Sequence, residues 1–231
     1  MFTSIHTVSG AELYRRPADT PEHTARQIAA LKARQREFAA LKITERTAQL
    51  AAFAERLAAN KSRLAAMVCE EVGRCLRECE AEIDKSLSLI RYYAKLAPQF
   101  LAGKTIATQA SISGVSFAPL GVVLAVMPWN YPVWQVLRFA VPALCAGNAC
   151  LVKPAPSVAR VSAALFELAG DLPLEAAWLA PEHTEAALAA CDALAFTGST
   201  DTGRHLAALA GKHLKKCVLE LGGSNAFIVL P

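Results

Sequence analysis

Four short stretches hold residues suited to chemistry, and each follows an apolar run. Met127-Pro128-Trp129-Asn130 comes directly after Val122–Val126. The Asn130 amide has two readings: it donates to an oxygen on which negative charge develops, or it caps the helix that follows. Lys153 comes directly after Ala149–Val152. A charge at the end of a buried run either binds an anion or reaches back to water. Thr197-Gly198-Ser199-Thr200 joins the run Ala193–Phe196 to a helical stretch. Glycine, hydroxyls and free helix N–H groups suit a phosphate, although the same turn serves equally as a plain helix cap. The Gly198 to Gly203 spacing is not the G-x-G-x-x-G pattern. Glu220 ends the run Cys217–Leu219 and precedes Leu221-Gly222-Gly223. It reads as a general base or as a solvated strand end.

These residues need a frame. Val122–Val126 and Ala149–Val152 have the length and β-branched content of buried strands. Between them Val133 to Cys145 is long enough for a helix, and Gly147-Asn148 stops it. Strand, helix, strand with both strands buried predicts a βαβ unit and a parallel sheet. Ligands of such sheets sit at the C-terminal strand ends, where Asn130 and Lys153 fall. The alternation continues: helix Ser157–Ala169 with Ser157 as N-cap, strand Ala176–Leu179, helix Glu182–Ala190, strand Ala193–Phe196, helix Arg204–Lys212, strand Cys217–Leu219 and an apolar run Ala226–Leu230. Upstream, residues 1–20 read as a loose lead-in with a short strand. Three helical patterns follow, at Thr20–Ala40, Thr44–Gly73 and Leu76–Leu101, and they form a shell. Thr105–Pro119 alternates as one strand without a nearby hairpin partner, which predicts pairing with another edge.

Composition narrows the function classes. The chain has 231 residues, 54% hydrophobic and 19% charged, enough for one large domain with appendages. The net charge of +4 is scattered, and the Lys212 to Lys216 group reads as a solvated helix end, so no nucleic-acid partner is expected. The seven cysteines form no C-x-x-C pair. Cys75 and Cys79 lie four apart with no histidine to complete a ligand set, so no metal site is expected. Free cysteines in apolar runs suit a reducing cytosol. No stretch resembles a signal peptide or a membrane span, which predicts a cytoplasmic location with no membrane partner.

The motifs together carry more than each alone. MPWN, KP, FTGST with its downstream glycine, and LELGG, in this order and spacing, resemble the aldehyde dehydrogenase superfamily over nearly all of residues 20–231. PLGVVLAVMPWNYPVWQV and LKKCVLELGGSNAFIVL are most similar to the succinate-semialdehyde dehydrogenase type. The resemblance implies an α/β fold: a Rossmann-like parallel sheet with an N-terminal helical shell and a portion of an oligomerisation sheet, the catalytic domain being absent. It divides the chain into a helical region (residues 1–104), an oligomerisation strand segment (105–119), a cofactor-binding core (120–223) and the start of a catalytic domain (224–231).

In that family a cysteine thiolate attacks an aldehyde, hydride passes to NAD or NADP, and water releases the acid. Carried over by motif position, Asn130 donates to the oxyanion and Glu220 activates water. Lys153 binds the adenosine ribose or a 2′-phosphate. Thr197, Gly198 and Ser199 face the pyrophosphate, Met127, Pro128 and Trp129 line the cofactor cleft, and Leu221 lies near the nicotinamide. Three departures qualify the match. Pro156 stands where relatives often carry a ribose-binding Glu, which leaves NADP open. Pro181-Glu182-His183-Thr184 replaces a glycine-containing loop on the adenine side. The family's nucleophile lies beyond ELGG, and neither Cys217 nor Cys191 matches it. The expectation is a truncated dehydrogenase chain, inactive alone, taking a small-molecule aldehyde when complete. Its relatives are homo-oligomers in which the strand resembling Ala110–Ala118 pairs with the partner subunit, and the state of this chain stays open. The alternative readings are a non-catalytic dinucleotide-binding or interaction module and a gene product without function.

Overall fold

The computed structural model describes residues 1–229. Leu230, the last residue of the expected apolar run, and Pro231 lie outside the described residues, and 221–229 carry no regular structure.

The lead-in is more ordered than its sequence suggests. Strands β1 (Phe2–Ile5) and β2 (Glu12–Arg16) pair antiparallel, with Phe2 opposite Arg16. Helix α1 (Pro21–Ala40) begins as expected: the Thr20 hydroxyl accepts the His23 N–H at 3.2 Å, and proline occupies the first turn. The expected helix Thr44–Gly73 is in fact two, α2 (Ile43–Ala59) and α3 (Lys61–Val72). Asn60 divides them. Its side-chain amide donates to the Arg56 carbonyl at 2.9 Å, giving the backbone an alternative to the next helical turn. Gly73, at φ +83, closes α3 in the left-handed conformation. Helix α4 (Leu76–Phe100) runs through Pro98 near its end.

Residues 105–119 correct the sequence reading. They form no single long strand. Instead β3 (Lys104–Thr105) and β4 (Gly114–Val115) pair with each other over two rungs, and Ile106, Ile112, Val115 and Phe117 remain exposed.

The core then builds as a parallel sheet. In chain order it comprises β5 (Val122–Val126), α5 (Pro132–Cys145), β6 (Ala149–Lys153), α6 (Ala159–Glu167), β7 (Leu174–Ala176), α7 (Thr184–Ala190), β8 (Ala193–Thr197), α8 (Thr200–Lys212) and β9 (Lys216–Glu220). The strand order is β7-β6-β5-β8-β9, every pair parallel. The chain works outward from β5 on one side, then returns to lay β8 and β9 on the other. The order therefore reverses between β5 and β8, the switch point at which doubly wound sheets hold their ligands. Several boundaries differ from expectation: α7 begins at Thr184, α8 at Thr200, and β9 runs from Lys216 to Glu220. The third strand is Leu174–Ala176, and Ser157 caps nothing, lying in a 3-10 turn, Pro156–Val158, ahead of α6.

Side chains alternate between two apolar layers. Val123, Ala125, Cys150, Val152 and Ala195 face the helical shell, α2 to α6. Val122, Leu124, Leu151, Leu194 and Phe196 face α1, α7 and α8. The start of β5 is pinned by Asp192, whose carboxylate accepts the Val122 N–H at 2.8 Å. That carboxylate fills the space a side chain at Gly121 would need, and Gly121 sits at φ +126, so both space and conformation require glycine there.

Two buried carboxylates of the shell hold helices of the core. Glu82 of α4 accepts the N–H groups of Val133 and Trp134, both at 2.9 Å, at the first turn of α5, and pairs with Arg74. Glu71 of α3 accepts the Arg160 and Val161 N–H groups at 2.9 and 2.8 Å, at the start of α6. Each meets free helix donors and the positive end of a helix dipole. Burial pushes the Glu71 carboxyl above its usual range, with the amide donors acting against that.

Glu82→Ala leaves the Arg74 charge and the first amides of α5 without partners. It is expected to lower stability by about 3 kcal/mol in urea denaturation. In the Glu82→Ala/Arg74→Met double variant the loss is smaller than the sum of the single losses. Additive losses would mean that the two groups are uncoupled.

Candidate functional site

The register lines up the strand tips. Lys153 lies beside Val126, Val126 beside Phe196, and Thr197 beside Glu220. With neighbouring strands on the order of 4.8 Å apart, the row from β6 to β9 spans about 14 Å. All the sequence-predicted site residues fall along this rim or on the loops leaving it.

They divide between the two faces. Met127, Thr197 and Glu220 border one cleft of about 430 Å³ beside α5, together with Gln135 and Arg138. Met127 is buried, and its N–H donates to the Lys153 carbonyl at 3.1 Å, which joins the two neighbouring loops. Glu220 is half exposed and pairs with Arg138 at 2.9 Å. A pair so open to water contributes at most about 1 kcal/mol, so the carboxylate is free to exchange partners. Asn130 lies in an adjoining cleft of about 560 Å³ with Tyr131, Trp134 and Lys85, and Gln135 borders both clefts. Pro128 is half-buried, while Trp129 is exposed. The N-terminus of α5 beyond Asn130 is capped by Glu82, so the Asn130 amide is not needed as a cap.

Lys153 belongs to the other face. Its alternation follows Leu151, and its ammonium lies 5.8 Å from the centre of the Phe2 ring. Burial draws the ammonium below the ordinary lysine range, with no opposing carboxylate contributing among the described residues. Ser199 is the N-cap of α8. Its hydroxyl accepts the Thr202 N–H at 3.3 Å and donates to the Thr202 hydroxyl at 2.9 Å. Gly198 of this turn and Gly203 of α8 are both engaged within the fold. The Gly198 N–H donates to the Glu220 carbonyl at 3.1 Å, so it is not free for a phosphate. A side chain at Gly198 would strike the Phe196 ring, and one at Gly203 would strike Leu221. Leu221 thus packs on α8, at the same end of the sheet as Ser199. What remains for an anion is the first turn of α8 and the Lys153 ammonium, both of which suit phosphate oxygens in charge.

Sequence reasoning missed Glu82, Arg74, Arg138 and Phe2. The first and third left a signal. Glu82 interrupts the buried stripe of α4 between Cys79 and Ser86, and Arg138 is the one charge in the fourteen residues of α5. Arg74 also stacks over the Tyr131 ring at 4.0 Å, next to Asn130.

Four of the seven thiols are buried and poorly suited to nucleophilic attack. Burial pushes Cys79 and Cys145 up to about 11, Cys191 up to about 12, and Cys150 higher still. Such thiols stay protonated, and the thiolate is the nucleophile. No cysteine lines the Asn130 cleft among the described residues. Cys217 lines the other, three residues before Glu220, or about 10 Å along the strand.

Comparison with known proteins identifies the family and the fold. Residues 1–231 match the model of the aldehyde dehydrogenase family. Succinate-semialdehyde dehydrogenase [NADP(+)] of Deinococcus radiodurans is 40% identical over 202 residues, covering 84% of this chain and 42% of that protein. Succinate semialdehyde dehydrogenase [NAD(P)+] Sad of Escherichia coli is 37% identical over 237 residues, covering 98% and 51%. Succinic semialdehyde dehydrogenase from Streptococcus pyogenes, solved in complex with NADP+, superposes with a TM-score of 0.94 at 26% identity, covering 100% of this chain and 52% of that one. The chain spans about half the length of the relatives it matches.

Lys153→Met removes a buried charge without a counter-charge and is expected to stabilise the ligand-free chain by about 1 kcal/mol near neutral pH. Because the folded-state pKa of Lys153 is lowered, the folded chain binds fewer protons than the unfolded chain between the two pKa values. Wild-type stability therefore rises with pH through that window, and the advantage of the variant shrinks. Denaturant titrations of both proteins across neutral to alkaline pH measure the difference. A variant less stable than wild type at neutral pH contradicts the assignment.

Proposed function

Since the chain belongs to the aldehyde dehydrogenase family, we propose that it forms the cofactor-binding half of an NAD(P)-dependent enzyme that oxidises an aldehyde to its acid, with succinate semialdehyde as the leading substrate. The observation that carries this reading is the rim itself: an ammonium without a counter-charge, a hydroxyl-capped helix N-terminus, an amide and a carboxylate on the tips of one parallel sheet.

The nicotinamide group, when bound, accepts the hydride. The chain's own residues do the rest. Lys153 and the first turn of α8 hold the phosphorylated end of the dinucleotide, and Pro156 brings no carboxylate to repel a 2′-phosphate. That favours NADP, the cofactor named for the Deinococcus radiodurans relative and bound in the Streptococcus pyogenes structure. The exposed Asn130 amide donates to the substrate oxygen as charge gathers there. Glu220, once released from Arg138, takes the proton of the hydrolytic water. Arg138 gives the same cleft a guanidinium that suits an aldehyde carrying a carboxylate at its far end. No cysteine borders the Asn130 cleft among the described residues, so in this reading the attacking sulfur comes from polypeptide other than the residues described. A dinucleotide-binding module without chemistry of its own is the second reading, favoured by the raised thiols.

Calorimetric titration of the purified chain with NADP+ and NAD+ tests the binding step. The expected result is saturable NADP+ binding that weakens at least about tenfold in Lys153→Met. Absence of binding to either nucleotide refutes both readings. For the chemistry, a protein carrying both halves is expected to lose about a hundredfold in kcat with Asn130→Ala, and again with Glu220→Gln. NADPH formation from aldehyde by this chain alone would overturn the assignment of the thiol.

A further inference from the structure

Lys153 has an aromatic neighbour contributed by the opposite end of the chain. The Phe2 ring is almost fully buried, 2% exposed, and its centre lies 5.8 Å from the Lys153 ammonium nitrogen. The ring is held in place from behind. It meets the Trp178 indole edge-on, with centres 5.2 Å apart and planes at 83°. Trp178 in turn exchanges two bonds with Asp19: its N–H donates to the Asp19 carboxylate and its carbonyl accepts the Asp19 N–H, both at 2.9 Å. The Arg16 guanidinium covers the indole at 4.8 Å. Strand β1 also packs against the 3-10 turn 156–158, three residues beyond Lys153. The hairpin β1–β2 therefore closes one side of the rim.

The choice of an aromatic partner has a chemical consequence. A carboxylate beside Lys153 would neutralise it and compete with an incoming phosphate. A ring face offers negative potential without occupying any N–H donor. The ring orients the ammonium without a carboxylate taking up its N–H groups, which leaves them for phosphate oxygens. We propose that the hairpin is a working element of the cofactor rim, and that Phe2 is a positioning residue which sets the Lys153 ammonium for a phosphate-bearing nucleotide. This rests on the cofactor role of Lys153 proposed above.

The test uses the full chain and titrates NADP+ and NAD+ into wild type, Phe2→Leu, Phe2→Tyr and Lys153→Met. A second series places 4-fluoro- and 3,4,5-trifluorophenylalanine at position 2, which keeps ring shape and burial while draining negative charge from the ring face. Expected is a loss of about threefold in NADP+ affinity for Phe2→Leu, and a graded loss along the fluorinated series. Phe2→Tyr stays at the wild-type value. NAD+, which lacks the 2′-phosphate, is expected to change less in every case, so the NADP+/NAD+ ratio falls. A merely structural role would lower the melting temperature and weaken both nucleotides alike, leaving the fluorinated series flat. If Lys153→Met weakens NADP+ and the fluorinated series does not, the role of Phe2 is refuted while the cofactor reading stands. If Lys153→Met itself binds NADP+ as wild type does, the cofactor reading fails first.

Discussion

A buried carboxylate survives in a protein only where donors surround it, and Glu82 is surrounded by the groups that matter most. It accepts two amides from the first turn of α5 and pairs with Arg74, whose guanidinium lies on the Tyr131 ring. One side chain thereby ties the helical shell to the loop that displays Asn130. Glu71 repeats the device at α6, the helix that follows Lys153. The nucleotide-binding fold normally leaves its helix N-termini for ligands and water. Here the shell satisfies the starts of α5 and α6 and leaves the start of α8, with Ser199, facing the rim. The dipoles committed to structure and the dipole left for an anion are separated by which element packs where.

The two faces of the sheet then divide the chemistry. Period-two alternation sends Lys153 to the α8 face and Met127, Thr197 and Glu220 to the α5 face. The Lys153 ammonium and the Glu220 carboxylate thus sit along one row of strand tips yet on opposite faces of the sheet. A shift of one residue in the β8–β9 register would exchange the faces of Glu220 and Leu219, placing a carboxylate against α8 and an apolar side chain in the cleft. The packing of Leu221, just past β9, on Gly203 of α8 holds that register at the C-terminal end of the strands.

The central βαβ unit was legible because its signals are local: two buried runs, a helix of the right length and Gly147 to end it. The strand tips followed from the same pattern, and so did Asn130, Lys153, Ser199 and Glu220. What escaped was pairing between distant segments. Asn60 divides α2 from α3 by a side-chain bond that competes with the helix, invisible in a stripe that stays in phase across it. The β3–β4 hairpin has only two rungs, too few to show as paired runs. Phe2 and Lys153 meet across 151 positions of sequence, and only a fold brings them together. Gly198 misled in a different way: a glycine at a strand–helix turn was read as room for phosphate, and the room is filled by Phe196.

The strand order has a consequence for how the chain assembles as it is made. β5 lies at the centre and emerges before any other strand of the sheet. Each later strand finds a docked neighbour waiting, first β6 and β7 on one flank, then β8 and β9 on the other. No strand must wait for a partner not yet synthesised. Glu82 and Glu71 are the exceptions to this convenience, for they leave the ribosome ahead of the amides they will hold.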